Sequence, residues 1–278
     1  MNIMKLQNGT EIPVPGYGTW QTPDGEIAVN GVKKALECGF RHIDTAAIYR
    51  NEESVGRAVK ESGIPREEIF ITSKVWNRAR GYESTLKAFE KSLNKLGMDY
   101  MDLYLIHWPA SYNLFEDWEQ INIDTWRAMT DLYKDGKIRA IGVSNFKPHH
   151  LRALMDQEVV PMVDQIEYHP GFMQEETVAF CRENDILVEA WSPLGTGVML
   201  GNETLGSIAA KYNKSTAQLC IRWCMQHDVL PLPKSVTASR IEENLNVFDF
   251  EIDDDDMKTI DAMEYFGGSG LDPDEVDF

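Results

Sequence analysis

The sequence is poor in the features by which small proteins do without a large core. Its four cysteines (Cys38, Cys181, Cys220, Cys224) include no CxxC pair, which excludes a disulfide framework and a cysteine zinc set and points to a reducing compartment, the cytoplasm. No stretch approaches the roughly 18 apolar residues of a membrane span, and MNIMKLQNGTEIP lacks the apolar core and cleavage site of a signal peptide. Bases are scarce. Lys and Arg number 27 against 45 Asp and Glu, a net charge of −18, which argues against nucleic acid or an anionic membrane as the main partner. No composition break or Pro/Gly/Ser-rich linker divides the chain, so residues 1–278 read as a single domain, large enough to bury a substantial core. A monomer is the expected state.

The charge is uneven: Glu251–Phe278 holds eleven acids against the single base Lys258. Asn8-Gly9 between two short extended runs predicts a two-residue type I′ hairpin turn. Beyond it, apolar runs alternate with helix-period segments. The runs are 16–20, 42–46, 69–75, 101–108, 138–144, 162–168, 186–191 and 229–233, eight in all. Helical faces such as Ala28, Val32, Ala35 and Leu36 end at Gly39, and Leu86, Phe89, Leu93 and Leu96 end at Gly97, the usual glycine stop.

Eight strand–helix units in this length predict a (β/α)₈ TIM barrel with an N-terminal β-hairpin. The competing open sheet needs G-x-G-x-x-G after its first strand, and Gly16-Tyr17-Gly18-Thr19-Trp20-Gln21 fails at the last position.

Polar residues gather where strands end. Asp44 lies near the end of the second run with Tyr49 shortly after it; Lys74 closes the third and His107 the fourth. In a barrel these ends converge on one face, where barrel active sites lie. An ammonium at the end of an apolar strand is costly unless neutralised, and Asp44 is the candidate partner of Lys74. With no second His or Cys at ligand spacing beside His107, no metal is expected. A nearby ammonium lowers the pKa of a phenol, so Tyr49 reads as a proton donor, Asp44 and Lys74 as its tuning pair, and His107 as a hydrogen-bonding group for the atom that receives the proton. That chemistry turns a carbonyl into an alcohol.

These residues and their surroundings resemble the aldo-keto reductases across essentially the whole chain, in GFRHIDTAAIYRNEESVG (39–56), ITSKVWN (71–77), LIHWP (105–109), GVSNF (142–146), DQIEYHP (164–170), AWSPLG (190–195) and PLPKSVTASRIEEN (231–244). The ending GLDPDEVDF is similar to the prokaryotic branch that includes 2,5-diketo-D-gluconate reductases and glyoxal or methylglyoxal reductases. The resemblance implies Tyr49 as general acid with Lys74, Asp44 and His107, and NADPH as cofactor. It implies that Ser144, Asn145 and Gln165 hold the carboxamide and Trp191 stacks on the nicotinamide. Ser192, Leu194 and Gly195 would follow the pyrophosphate, Lys234, Ser235, Val236, Thr237 and Arg240 would surround the 2′-phosphate, and Glu243 and Asn244 the adenine. The local charge agrees, since no acid lies between Asp228 and Glu242 while Lys234 and Arg240 do.

Trp20, Trp76 and Trp108 at strand ends predict an aromatic substrate wall for a small carbonyl compound. Residues 110–120 and the C-terminal segment 266–278 are the expected substrate loops, and their carboxylates are expected to disfavour anionic substrates. Cys220 and Cys224 read as small core hydrophobes, and His149 and His150 receive no role. Two other functions compete: a nicotinamide-binding redox-sensing or accessory subunit with little turnover, and a barrel hydrolase or isomerase that the cofactor motifs disfavour.

Overall fold

A computed structural model of the chain describes residues 2–278. An antiparallel hairpin, β1 (Asn2–Lys5) and β2 (Glu11–Val14), opens it. Its turn departs from the two-residue type I′ expectation. Leu6 and Thr10 face each other across Gln7-Asn8-Gly9, and only Gly9 takes a positive φ, of 85°. Asn8 is held out of the left-handed region because its Oδ1 accepts the Thr10 N–H at 3.0 Å, leaving Gly9 to make the reversal.

The eight expected strands all form. β3 (Tyr17–Gly18), β4 (His42–Asp44), β5 (Phe70–Val75), β6 (Met101–Ile106), β7 (Ile138–Ser144), β8 (Val163–Glu167), β9 (Leu187–Trp191) and β10 (Leu230–Leu232) lie side by side in chain order, all parallel. Bonds from Gly16 N to Pro231 O and Gly18 N to Pro233 O, both 3.1 Å, join the two edges. The result is a (β/α)₈ barrel.

The helices covering it include α1 (Glu26–Cys38), α2 (Glu52–Ser62), α3 (Tyr82–Leu96), α4 (Trp118–Lys134), α5 (Pro148–Met155), α6 (Glu175–Glu183), α7 (Glu203–Lys211), α8 (Thr216–Gln226), α9 (Ala238–Leu245) and α10 (Asp254–Asp261). Gly39 and Gly97 end α1 and α3 in left-handed geometry, as expected. Gly56 of α2 lets that helix approach the end of α3, where an added Cβ would lie 2.1 Å from Leu96 O. Asp253 caps α10 through the N–H groups of Asp255 and Asp256, so part of the acidic run is placed by the helix dipole.

Strand alternation sorts the barrel's side chains. Ile43, Ile71, Leu103 and Val143 are buried in the apolar core. Its polar lining includes His42, Asp44, Thr72, Lys74, Gln165 and Glu189, all buried. Most of these polar atoms find partners within the barrel, though His42 Nδ1 and Glu189 Oε1 do not.

Candidate active site

Two strand ends and a turn assemble the centre of the site. Asp44 ends β4, Lys74 lies near the end of β5, and a short 3₁₀ turn, Ala47–Tyr49, carries the phenol back over them. Lys74 is 0% exposed. Its Nζ donates to both Asp44 oxygens at 2.7 Å and to Thr45 O at 3.0 Å, and sits 3.5 Å from Tyr49 Oη. Burial opposes the ammonium's charge, but Asp44 and the other acidic groups around it outweigh that and hold the Lys74 pKa above its usual value.

The phenol behaves differently from the sequence expectation. Desolvation is the largest influence and pushes Tyr49 up to about 12, with Lys74 pulling the other way and only moderating the rise. The phenol therefore keeps its proton at neutral pH. His107 is buried beside it, the rings 5.6 Å apart and edge to face. Burial first, and then Lys74, hold this imidazole well below its ordinary pKa, so it is neutral and offers one donor and one acceptor. Its Nδ1 has no partner.

Asp44, Tyr49 and His107 line a cavity of about 520 Å³ at the C-terminal ends of the strands, with Lys74 buried behind them. Trp20, Trp76 and Trp108 all line it, together with Ser144, Asn145, Gln165, Trp191, Ser192, Leu194 and Lys234. Asn145 and Ser192, directly after β7 and β9, take φ values of 64° and 53°, strained conformations of the kind that cluster at functional sites. Asn145 is tied down by Nδ2 to His107 O at 2.9 Å and by Trp191 Nε1 to its Oδ1 at 2.8 Å, so Trp191 is anchored with its ring on the cavity. Gln165 Nε2 donates to Asp44 Oδ2 at 2.9 Å and to Glu189 Oε2 at 2.8 Å.

The remaining expected cofactor residues extend away from this cavity. Gly195 begins the 3₁₀ segment after β9 and is buried. Ser235 is buried, with its Oγ accepting the Thr237 N–H. Val236, Thr237 and Arg240 are exposed at the start of α9, Glu243 is half-buried and Asn244 buried on that helix. No side chain caps α9, so its first N–H groups are open to an anion. Neither Lys234 nor Arg240 has a carboxylate partner among the described residues. An uncapped helix start carrying Arg240, with Lys234 just before it, fits a phosphate.

The C-terminal segment closes one side. Phe278 stacks on Trp76 at 5.7 Å and meets Trp108 edge-on at 5.4 Å, while Asn77 Nδ2 donates to Phe278 O. Asp274 anchors it, accepting from Lys147 Nζ at 2.8 Å and lying 3.0 and 3.1 Å from the Nε2 atoms of His149 and His150. Because Nδ1 of His150 accepts the Lys147 N–H, its proton sits on Nε2, close to Asp274 but without a hydrogen bond to it; Lys147 and His149 make the hydrogen-bonded latch. Asp272 also pairs with Lys147, so one ammonium is shared between two of the carboxylates expected to repel anions and offsets part of their charge. His149, which holds Asp274, and His150, which accepts the Lys147 N–H, thus have structural roles that the sequence reading missed.

Glu189 was missed as well. A carboxyl inside the apolar run ILVEAW carries the same cost that singled out Lys74, so the signal was present. Cys220 and Cys224 are fully buried and unpaired, in keeping with core packing.

Residues 16–264 match the model of the aldo/keto reductase family. The chain belongs to this family. It is 53% identical to the glyoxal reductase of Bacillus subtilis (strain 168), over 100% of this chain and 98% of that protein. It superposes on MGS-M4, an aldo-keto reductase from a Medee basin deep-sea metagenome library, with a TM-score of 0.93 and 46% identity, covering 99% of this chain and 100% of that one. It also matches a mutant of Gox0644 in complex with NADPH, with a TM-score of 0.91 and 40% identity over 100% of this chain and 99% of that one. Family membership makes the protein an oxidoreductase acting on carbonyl groups. No described helix is long and apolar enough to cross a membrane.

Proposed function

We propose that this reductase converts small aldehydes and ketones to alcohols with NADPH, with Tyr49 as the proton donor. The observation that carries the reading is that Tyr49 and the neutral His107 line one cavity, with Lys74 Nζ buried 3.5 Å behind the Tyr49 hydroxyl. When bound, the reduced nicotinamide supplies the hydride. Ser144, Asn145 and Gln165 hold its carboxamide and Trp191 its ring face. Lys234 and Arg240 with the α9 N–H groups take the 2′-phosphate.

His107 orients the carbonyl oxygen by a hydrogen bond, and Tyr49 donates to that oxygen as negative charge develops on it. Lys74 stabilises the phenolate left behind, and Asp44 keeps Lys74 charged and in place. Trp20, Trp76, Trp108 and Phe278 enclose a compact, largely apolar space, which suits small carbonyl compounds such as the dicarbonyl for which the B. subtilis relative is named.

The test supplies NADPH and then methylglyoxal, and follows the reduced cofactor's absorbance. Oxidation is expected, and Tyr49→Phe should slow it about 10²- to 10⁴-fold, the worth of a general acid, while cofactor affinity stays unchanged. Binding without oxidation across a panel of aldehydes would replace this reading by an accessory, redox-sensing one.

A further inference from the structure

We propose that Glu189 is a positioning residue, whose carboxyl fixes the Gln165 amide with its carbonyl oxygen turned into the cavity to receive an amide N–H. The two residues are Cα partners in the β8–β9 ladder, side by side inside the barrel. Gln165 Nε2 has two hydrogens, and both are committed, one to Asp44 Oδ2 at 2.9 Å and one to Glu189 Oε2 at 2.8 Å. The oxygen Oε1 is the polar atom left over on a side chain that lines the cavity. With Asp44 alone the second hydrogen would be left unsatisfied in a buried place, and the amide would be free to tilt away from this orientation. Two acceptors on one nitrogen remove the choice.

Glu189 is 0% exposed, and its other oxygen, Oε1, has no partner; the nearest candidate, His42 Nε2, is 3.9 Å away, beyond hydrogen-bond reach. It makes no ion pair that would explain a carboxyl there. Burial, then Asp44, push its pKa up to about 8, against the weaker pulls of Gln165 and Lys74. At neutral pH it is a neutral acid, so the layer holds one cation, Lys74, and one anion, Asp44. The hydrogen bond to Gln165 is the one strong contact that remains to justify it.

The proposal rests on the carboxamide lying at Gln165, and the experiment separates the two. Binding is measured by quenching of tryptophan fluorescence with NADP⁺ and with its 3-acetylpyridine analogue, in which a methyl replaces the amide nitrogen and no N–H remains. The native protein should bind NADP⁺ about tenfold more tightly than the analogue, the worth of one hydrogen bond with its desolvation. Equal binding there sinks the carboxamide placement and this proposal with it.

Glu189→Met keeps the volume and removes the acceptor, and it should reduce the discrimination to about twofold or less. Glu189→Gln reproduces the neutral acid's acceptor and should keep the native ratio. If the native protein discriminates and Glu189→Met does so equally, Glu189 only fills space and the proposal is overturned. Should Glu189→Met not fold, the decision passes to Glu189→Gln, whose loss of the native ratio overturns it as well.

Discussion

Lys74 and Asp44 meet with the ammonium nitrogen 2.7 Å from each carboxylate oxygen, in the interior of the barrel and beneath the Tyr49 hydroxyl. Neither charge has an alternative partner of comparable strength, so each is there on the other's account. Asp44→Asn should strand a buried ammonium and cost about 3–5 kcal/mol of stability, as breaking a buried pair does. Chemical denaturation checks this, with turnover measured on the folded fraction. A variant as stable and as fast as the native protein would remove the charged pair from the mechanism.

The start of α9 gives a prediction on cofactor choice. Arg240 is exposed and free of carboxylates, available for a phosphate it can grip with two N–H groups. Arg240→Ala should weaken NADPH about 10- to 100-fold, matching the ~1.5–3 kcal/mol of a charged hydrogen bond. NADH, which lacks the 2′-phosphate, should be scarcely affected. Titrating both cofactors against both proteins decides it; an equal loss for the two would place Arg240 away from the 2′-phosphate.

The latch at Asp274 bears on substrate size. It joins the C-terminal segment to Lys147 and His149, and Phe278, four residues on, completes the aromatic wall. Asp274→Ala should release that wall. The expected result is a KM for an aromatic aldehyde raised about tenfold, equivalent to 1.4 kcal/mol, with kcat and NADPH affinity near native. Unchanged KM values would mean that Phe278 keeps its seat without the latch.

Glu189 also makes stability depend on pH. Its folded pKa, about 8, lies above the 4.5 of the free side chain, so between those values the folded state holds a proton that the unfolded state has lost. Stability from this group therefore falls as pH rises through that window. Glu189→Gln cannot titrate, and its melting temperature relative to the native protein should climb steadily from pH 5 to pH 8. A difference that is flat with pH would mean that Glu189 ionises normally in its site.

How far the sequence alone reached depends on the length scale of each cause. The strands followed from apolar runs and their order from the regular alternation with helices, because period and glycine stops are local properties of the chain. Asp44, Lys74 and His107 were legible because a charge or imidazole at the end of an apolar strand asks for a reason, and strand ends in a barrel meet. Tyr49 was placed with them by proximity in sequence. The hairpin at Asn8-Gly9 was legible, but not its turn type, because a side-chain hydrogen bond to Thr10 decided which residue turned.

What only the tertiary structure decided was set by distances between segments remote in the chain. The sequence supplied a cation beside a phenol and hence the direction of its effect. Burial of that phenol, which no local pattern reports, outweighed the cation and left Tyr49 at about 12 rather than below its ordinary value. The same holds for Gln165, whose amide orientation depends on Asp44, 121 positions away, and for Asp274, whose charge is absorbed by Lys147, 127 positions away. Residue type and spacing fixed which chemistry was present; closure of the barrel brought the groups together, and the solvent it excluded determined which of them carry charge.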